Sequence, residues 1–273
     1  MGRKPKCVMI LSEGPSDRAA LTGFFTSLYE MIDPDIEVFF PILSEESLNE
    51  EGITRVKYNG DITTRYGINQ DNILPLILKL FIHPELKKHP AYDYPKYIYE
   101  VIHLVDIDGA YLKDSNILKY VKNDMELPYY DDKQNHILTD DVSSLIDRNK
   151  RKRENLNKMI YAGKLRITVE KGANESREKP YRVYYFSTNL DHILHDRANN
   201  ERYFKVRDAE DFANRYYDDP LKMAEFFLNH EAASPVTDYE GSWQWLMEED
   251  TLSPKTNINV LIKDLLDRTK KKI

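Results

Sequence analysis

Two hydrophobic rhythms alternate along the chain, and together they predict an α/β fold with a mostly parallel central sheet. Lys6 to Ser12 is a short, almost unbroken apolar run closed by Gly14-Pro15, which suits a strand buried on both faces better than a helix. Ala20, Leu21, Phe24, Phe25 and Leu28 then recur at helical spacing, with Pro15 or Ser16 placed to start the helix. Ile36 to Leu43 is again β-rich, so the N-terminal stretch reads as a right-handed βαβ unit. From Ser44 to about Pro95 the pattern loosens. We read this stretch as an insertion in which Ile53 to Tyr58 is an edge strand and Ile73 to Phe81 a helix that tolerates Pro75 in its first turn.

Tyr97 to Val105 restores the buried-strand signal; it ends in Asp106-Ile107-Asp108-Gly109, with a helix expected around Ser115 to Lys122. Asp140 to Ala162 predicts a helix, Leu165 to Val169 a short strand, and Tyr181 to Phe186 a strand leading through Ser187-Thr188-Asn189 into a helix at Leu190. Beyond about Glu201 helices are expected between Asp-Pro and Ser-Pro breaks, with Trp243, Trp245 and Leu246 as packing anchors. The expected organisation is residues 1–200 as one α/β unit carrying the insertion at 44–95, and residues 201–273 as a helical region packed on or appended to it.

Composition narrows this little. A chain of 273 residues, 41% hydrophobic, can bury one substantial core. With 31% charged residues, a mean hydropathy of -0.63 and no long apolar run, neither a membrane span nor a secretory signal is expected, which predicts a cytoplasmic protein. The single cysteine, Cys7, lies in an apolar run and is expected to be buried and inert. A net charge of -7 argues against coating nucleic acid by bulk electrostatics and turns attention to local patches. Arg148, Lys150, Arg151, Lys152 and Arg153 are five cations within six residues and are candidate nucleic-acid-binding residues; Arg268 to Lys272 forms a second, terminal run. The competing reading of either run is a solvated helix face or tail.

The acids are more specific. In an open α/β sheet, ligands bind outside the carboxyl ends of the strands, where loops and helix N-termini meet. Glu13, Asp106 and Asp108 all fall there. In an extended Asp-x-Asp both carboxylates point to one side, so they can share one hard cation, and Mg²⁺ favours such oxygen donors together with phosphate oxygens. The competing readings are a helix-start acid for Glu13, an Asp-Gly turn for Asp106 and Asp108, and capping for Asp17 and Asp191. His192 and His195, three apart without a cysteine or a second pair, do not make a zinc pattern. No Walker-type loop occurs, so ATPase activity would have to come from another protein. Tyr129, Tyr130, Tyr184 and Tyr185 are candidates for base stacking among 19 tyrosines, most of which should simply pack.

Ser12-Glu13-Gly14-Pro15-Ser16-Asp17 after one strand and Asp106-Ile107-Asp108-Gly109 after another resemble the two motifs of the Toprim family, closest to its stand-alone and overcoming-lysogenization-defect nucleases. The resemblance covers about two thirds of the chain. It implies a Rossmann-like Toprim core, Glu13 as general acid or base, and Asp106 and Asp108 holding Mg²⁺, with Mn²⁺ as a substitute. Phe186 to His192 resembles a third segment of stand-alone members, which implies Asp191, with Asp17, as further metal ligands. It also implies a nuclease acting on DNA or RNA, an antiviral effector role, a partner ATPase of ABC or SMC type, and leaves homo-oligomerisation open. Two other readings stay in view. The strand ending in Asp106-Ile107-Asp108-Gly109 is also similar to the first motif of haloacid-dehalogenase-type phosphatases, which would make Asp106 a nucleophile, and a non-enzymatic reading makes the acidic cleft a dock for a basic protein partner.

Overall fold

The computed structural model describes residues 6–42, 44–48, 54–58, 61–89, 91, 95–122, 125–168, 176–199 and 202–271, with 44–48, 54–58 and 202–203 described in the backbone only. The parts of the expected elements that fall on Leu43, Ile53, Val169 and Lys272 lie outside these residues.

The apolar runs become a central sheet: β1 (Lys6–Leu11), β2 (Ile36–Phe39), β5 (Ile98–Asp106), β9 (Lys164–Thr168) and β10 (Ser176–Phe186), in the order β2-β1-β5-β10-β9. Four of these run parallel and only β9 is antiparallel to its neighbour. The centre of the sheet is covered on both faces, which is why β1 and most of β5 read as near-continuous apolar runs, whereas the edge strand β9 alternates. On one face Val8, Ile10, Ile102, Leu104, Tyr184 and Phe186 pack against α1 (Pro15–Ile32), α6 (Arg202–Arg215), α7 (Pro220–Asn229) and α9 (Ile258–Lys270). On the other, Met9, Leu11, Val105, Val183 and Tyr185 pack against α4 (Val142–Ile160), α8 (Tyr239–Glu248) and a helical stretch made of α2 (Ile73–Ile77), a π turn over Leu78–Ile82 and α3 (His83–Lys88). Cys7 is fully buried, and that burial pushes its thiol pKa up to about 12, so it stays unreactive. Tyr184 and Tyr185 are buried in these cores and cannot stack on a base, which corrects that expectation. No described helix is long and apolar enough to cross a membrane.

Two further elements depart from expectation. The strand at Thr54–Tyr58 (β4) pairs with Ser44–Leu48 (β3) in a hairpin of its own instead of extending the sheet. The expected helix around Ser115 to Lys122 is a short turn followed by β6 (Ile117–Lys119), which pairs in parallel with β8 (His136–Thr139); β8 also takes β7 (Tyr129–Asp131) on its other side. Ile117 is buried while Leu118 and Lys119 face solvent, a pattern too short to separate strand from helix by period.

The C-terminal region is built into the sheet. Strand β9 pairs with β10 only from Ser176 to Pro180, leaving one edge of the second half of β10 without a strand among the described residues. Side chains fill that gap. The Tyr239 hydroxyl accepts the N–H of Val183, Trp243 Nε1 donates to its carbonyl, Asn257 Oδ1 accepts the N–H of Tyr185, and the Thr256 hydroxyl donates to the Tyr185 carbonyl. Burying these backbone groups unpaired would cost about 1–3 kcal/mol each.

Arg268, expected in a terminal basic tail, folds back onto the sheet and clasps Glu100 with both guanidinium nitrogens, at 2.5 and 3.3 Å. Glu100 is buried and also accepts the hydroxyl of Tyr29. Replacing Arg268 by alanine leaves Glu100 without its counter-charge. Urea unfolding should register a loss of roughly 3 kcal/mol, and the double change Arg268→Ala/Glu100→Gln should recover much of it.

Candidate metal centre

Strand β1 is followed through α1 by β2 on one side, whereas β5 joins β1 on the other, so the strand order reverses between β1 and β5. The loops leaving their carboxyl ends diverge there and open a crevice. Glu13 follows β1, Asp106 closes β5 and Asp108 follows it, while Asn189 and Asp191 stand where β10 passes into α5 (Leu190–His195). The loop after β5 is clamped onto the exit of β10: the N–H groups of Ile107, Asp108 and Gly109 donate to the carbonyls of Phe186, Thr188 and Ser187.

The sequence expectation of an extended Asp-x-Asp is corrected here. Asp108 has φ 51° and Gly109 φ 65°, both left-handed, so strand alternation ends at Asp106 and the two carboxylates turn into different surroundings. Glycine is required at 109, because a Cβ there would stand 2.7 Å from Ile137 Cδ1 and 2.9 Å from Leu252 Cδ2.

Asp108 joins Glu13 and Asp61, with one ligand atom of each lying within 4.8 Å of the others. Between them Lys152, fully buried on α4, brings Nζ to 2.6 Å from Asp108 and 3.1 Å from Asp61. Asp61 is held further by the hydroxyls of Thr63 and Thr64. Asp106 belongs to the adjoining group. Its N–H donates to Glu13 Oε1 at 3.1 Å, which places Glu13 between the two groups. Asp17 accepts the N–H groups of Glu13 and Gly14 at 3.1 and 3.0 Å, capping α1, and is buried. Asp191 pairs with Lys205 at 3.1 Å. A cleft of about 430 Å³ opens over Asp106 and Asp108, walled by Tyr129, Tyr130, Arg148 and Lys205.

Crowding so many acids has a measurable electrostatic cost. Burial drives the Glu13 pKa well above the ordinary carboxyl value, and Asp61, Asp106 and Asp108 add to the rise while Lys152 opposes it. Burial also raises Asp106 strongly, helped by Asp17 and Asp108. Asp17 is pushed up to about 6 by burial and the nearby Asp191, against its two backbone bonds and Lys205. Burial would raise Asp61 too, but Lys152 and the two threonine hydroxyls outweigh it and hold the pKa below its usual value. Burial works against the charge on Lys152, yet Asp108, Asp61 and Glu13 together raise its pKa.

Of the five acids expected to hold a metal, Glu13 and Asp108 are brought to ligand distance, while Asp106, Asp17 and Asp191 line the neighbouring group. Asp61 was missed. It lies in the stretch read as an insertion, where its one sequence signal is an aspartate followed closely by Thr63 and Thr64. The basic run is largely turned inward, and for Lys152 this corrects the expectation of a phosphate contact. Lys152 is buried and cannot reach a nucleic acid backbone; Arg148 donates to the Asp108 carbonyl and Arg153 to the Ala110 carbonyl; Lys150 is exposed and Arg151 half-buried. Spacing carried this signal, since Lys152 precedes Leu156 and Met159 on one buried helical stripe. Comparison of the chain with protein-family models, curated proteins and solved structures finds no match.

A carboxyl whose pKa is higher in the folded than in the unfolded chain keeps its proton through a window in which the unfolded chain has lost it. Stability of the metal-free protein therefore falls as pH rises through that window, which for Asp17 runs from 3.8 to about 6. Glu13→Gln should raise the melting temperature of the metal-free protein at pH 7 by roughly 2–4 °C. Lys152→Met should lower stability by roughly 3 kcal/mol at pH 8 and by clearly less at pH 5, where protonation relieves the stranded carboxylates. Calorimetry across pH checks both; a Lys152→Met penalty independent of pH would contradict this electrostatic account.

Proposed function

We propose that this chain is a Mg²⁺-dependent nuclease of Toprim type that hydrolyses phosphodiester bonds in DNA or RNA. The observation that carries the reading is the convergence of Glu13, Asp61 and Asp108 at the switch point of a parallel sheet, beside a cleft wide enough for a nucleotide. Three carboxylates brought within ligand distance of one another are a donor set suited to a hard divalent cation, with Mn²⁺ as a substitute. When bound there, the ion would supply Lewis-acid stabilisation to the phosphate oxygens. The order of the motifs around Glu13 and Asp106 supports the family assignment.

The protein's own groups take the remaining roles. Glu13, its Oε1 fixed by the Asp106 N–H and its pKa raised by burial, is suited to exchange a proton with the attacking water or the departing sugar oxygen. Arg148 and Lys205 line the cleft as cations for the phosphate, and the half-buried Tyr129 forms a wall on which a base can stack. Lys152, within 2.6 Å of Asp108, also holds the Asp61 pKa below its usual value. An antiviral effector role with a partner ATPase of ABC or SMC type completes the proposal and rests on the family resemblance alone. The phosphatase reading is weaker, because Ala110 rather than a hydroxyl-bearing residue follows Gly109 and a complete β1-α1-β2 unit precedes the strand that ends in Asp106.

Purified protein should cut plasmid DNA or total RNA with Mg²⁺ or Mn²⁺ and not with chelator. Glu13→Gln and Asp108→Asn should each reduce the rate at least about 100-fold. Where activity depends on a trigger, cellular toxicity of the wild type relative to the same variants reads the same difference. Absence of both cleavage and toxicity, or hydrolysis of a phosphomonoester that survives Glu13→Gln, would overturn the nuclease reading.

A further inference from the structure

Away from the carboxylate centre, a second set of potential ligands stands where the turn between β7 and β8 meets α5. Asp132 in that turn, His192 on α5 and Asp196 at its C-terminus each offer one ligand atom within 4.8 Å of the others. Acidic side chains at a surface often cluster without consequence, but the histidine between them is unusual. His192 is only 1% exposed, and among the described residues its Nε2 has no hydrogen-bond partner. That nitrogen faces Asp132 Oδ2 at 3.6 Å and Asp196 Oδ1 at 3.9 Å. Both distances exceed hydrogen-bonding length. They are close to the separation of roughly 3.4 Å that two ligands take across a tetrahedral ion bound at about 2.0–2.2 Å to each.

The other ring nitrogen is already engaged. Nδ1 lies 3.2 Å from the hydroxyl of buried Thr188, and the His192 N–H donates to Asn189 Oδ1, so both ring and backbone are oriented before any ligand arrives. A partner that fixes one imidazole nitrogen and leaves the second aimed at carboxylates is a common outer-shell arrangement of metal-binding histidines. An ion can enter, since the carboxylate-bearing side chains of Asp132 and Asp196 are 36% and 88% exposed. Asp196 reaches the position because it ends α5 in the left-handed conformation, with φ 54°.

We propose that Asp132, His192 and Asp196 form a second divalent-metal site, distinct from the carboxylate centre and selective for Zn²⁺-like ions that accept an imidazole nitrogen. One nitrogen and two carboxylate oxygens, with water completing the shell, match zinc better than magnesium, which favours an all-oxygen shell. Bound there, the ion ties the β7–β8 turn to α5. That joins the wall carrying Tyr129 and Tyr130 to the helix carrying Asp191. Spacing along the chain gave no hint of the site, because two of its three ligands are aspartates and one comes from a distant turn.

The test is Zn²⁺ titration of the full chain against a chromophoric chelator, with excess Mg²⁺ present and in a Glu13→Gln background that weakens the carboxylate centre. One equivalent should bind. Asp132→Asn/Asp196→Asn, which alters exposed side chains and should spare the fold as judged by circular dichroism, should weaken binding about 100-fold or more. Co²⁺ in place of Zn²⁺ should give visible d–d absorption that the double variant and His192→Gln lose. No bound equivalent in the parent, or an equivalent that survives the double change, would overturn the proposal without bearing on the nuclease reading.

Discussion

One ammonium group buried among carboxylates constrains this molecule more than any other contact. Without Lys152, Asp61 and Asp108 would stand side by side in a half-buried pocket with Glu13 against them; at an effective dielectric near 20, two like charges about 4 Å apart repel by about 4 kcal/mol. Lys152 turns that repulsion into a cohesive group, and in doing so fixes the rotation of α4. The same helix presents Asn155 to the Thr63 and Ile68 carbonyls, Arg148 to the Asp108 carbonyl and Arg153 to the Ala110 carbonyl. One helix thereby braces both the segment after β4 and the loop after β5. A helix held only by leucines could slide or turn by small amounts; one held by these directed contacts has a single register.

The fold was legible in the sequence wherever burial was complete. Strands β1, β5 and the second half of β10 carry buried apolar residues on both faces, and their runs stand out even though Glu100, His103 and Arg182 interrupt them. Glu13, Asp106 and Asp108 were legible for a related reason, since acids immediately after such strands have one crevice to face. Asp61 was not. It sits where hydrophobic periodicity is weak, and what makes it part of the site is Lys152, far along the chain. The geometry of Asp108 was misread because its left-handed backbone depends on contacts across to β10 that no local pattern encodes.

The basic run illustrates how composition misleads when separated from phase. Five cations in six residues suggest a surface, yet a helix distributes them around its circumference, and α4 places three of them against backbone carbonyls and carboxylates. Their positive charge serves to hold an acidic site together. A similar inversion applies at the other end of the chain, where Arg268 of the terminal run is an internal counter-ion to Glu100.

The side chains that complete the outer edge of β10 have a practical corollary for anyone dividing the chain. Tyr239, Trp243, Thr256 and Asn257 stand in for a missing neighbouring strand, so residues 1–200 are not a self-sufficient unit. A fragment ending there would present bare backbone donors and acceptors along an apolar ribbon. Such a ribbon is a template for pairing with other copies, and its fate is aggregation rather than a smaller folded unit.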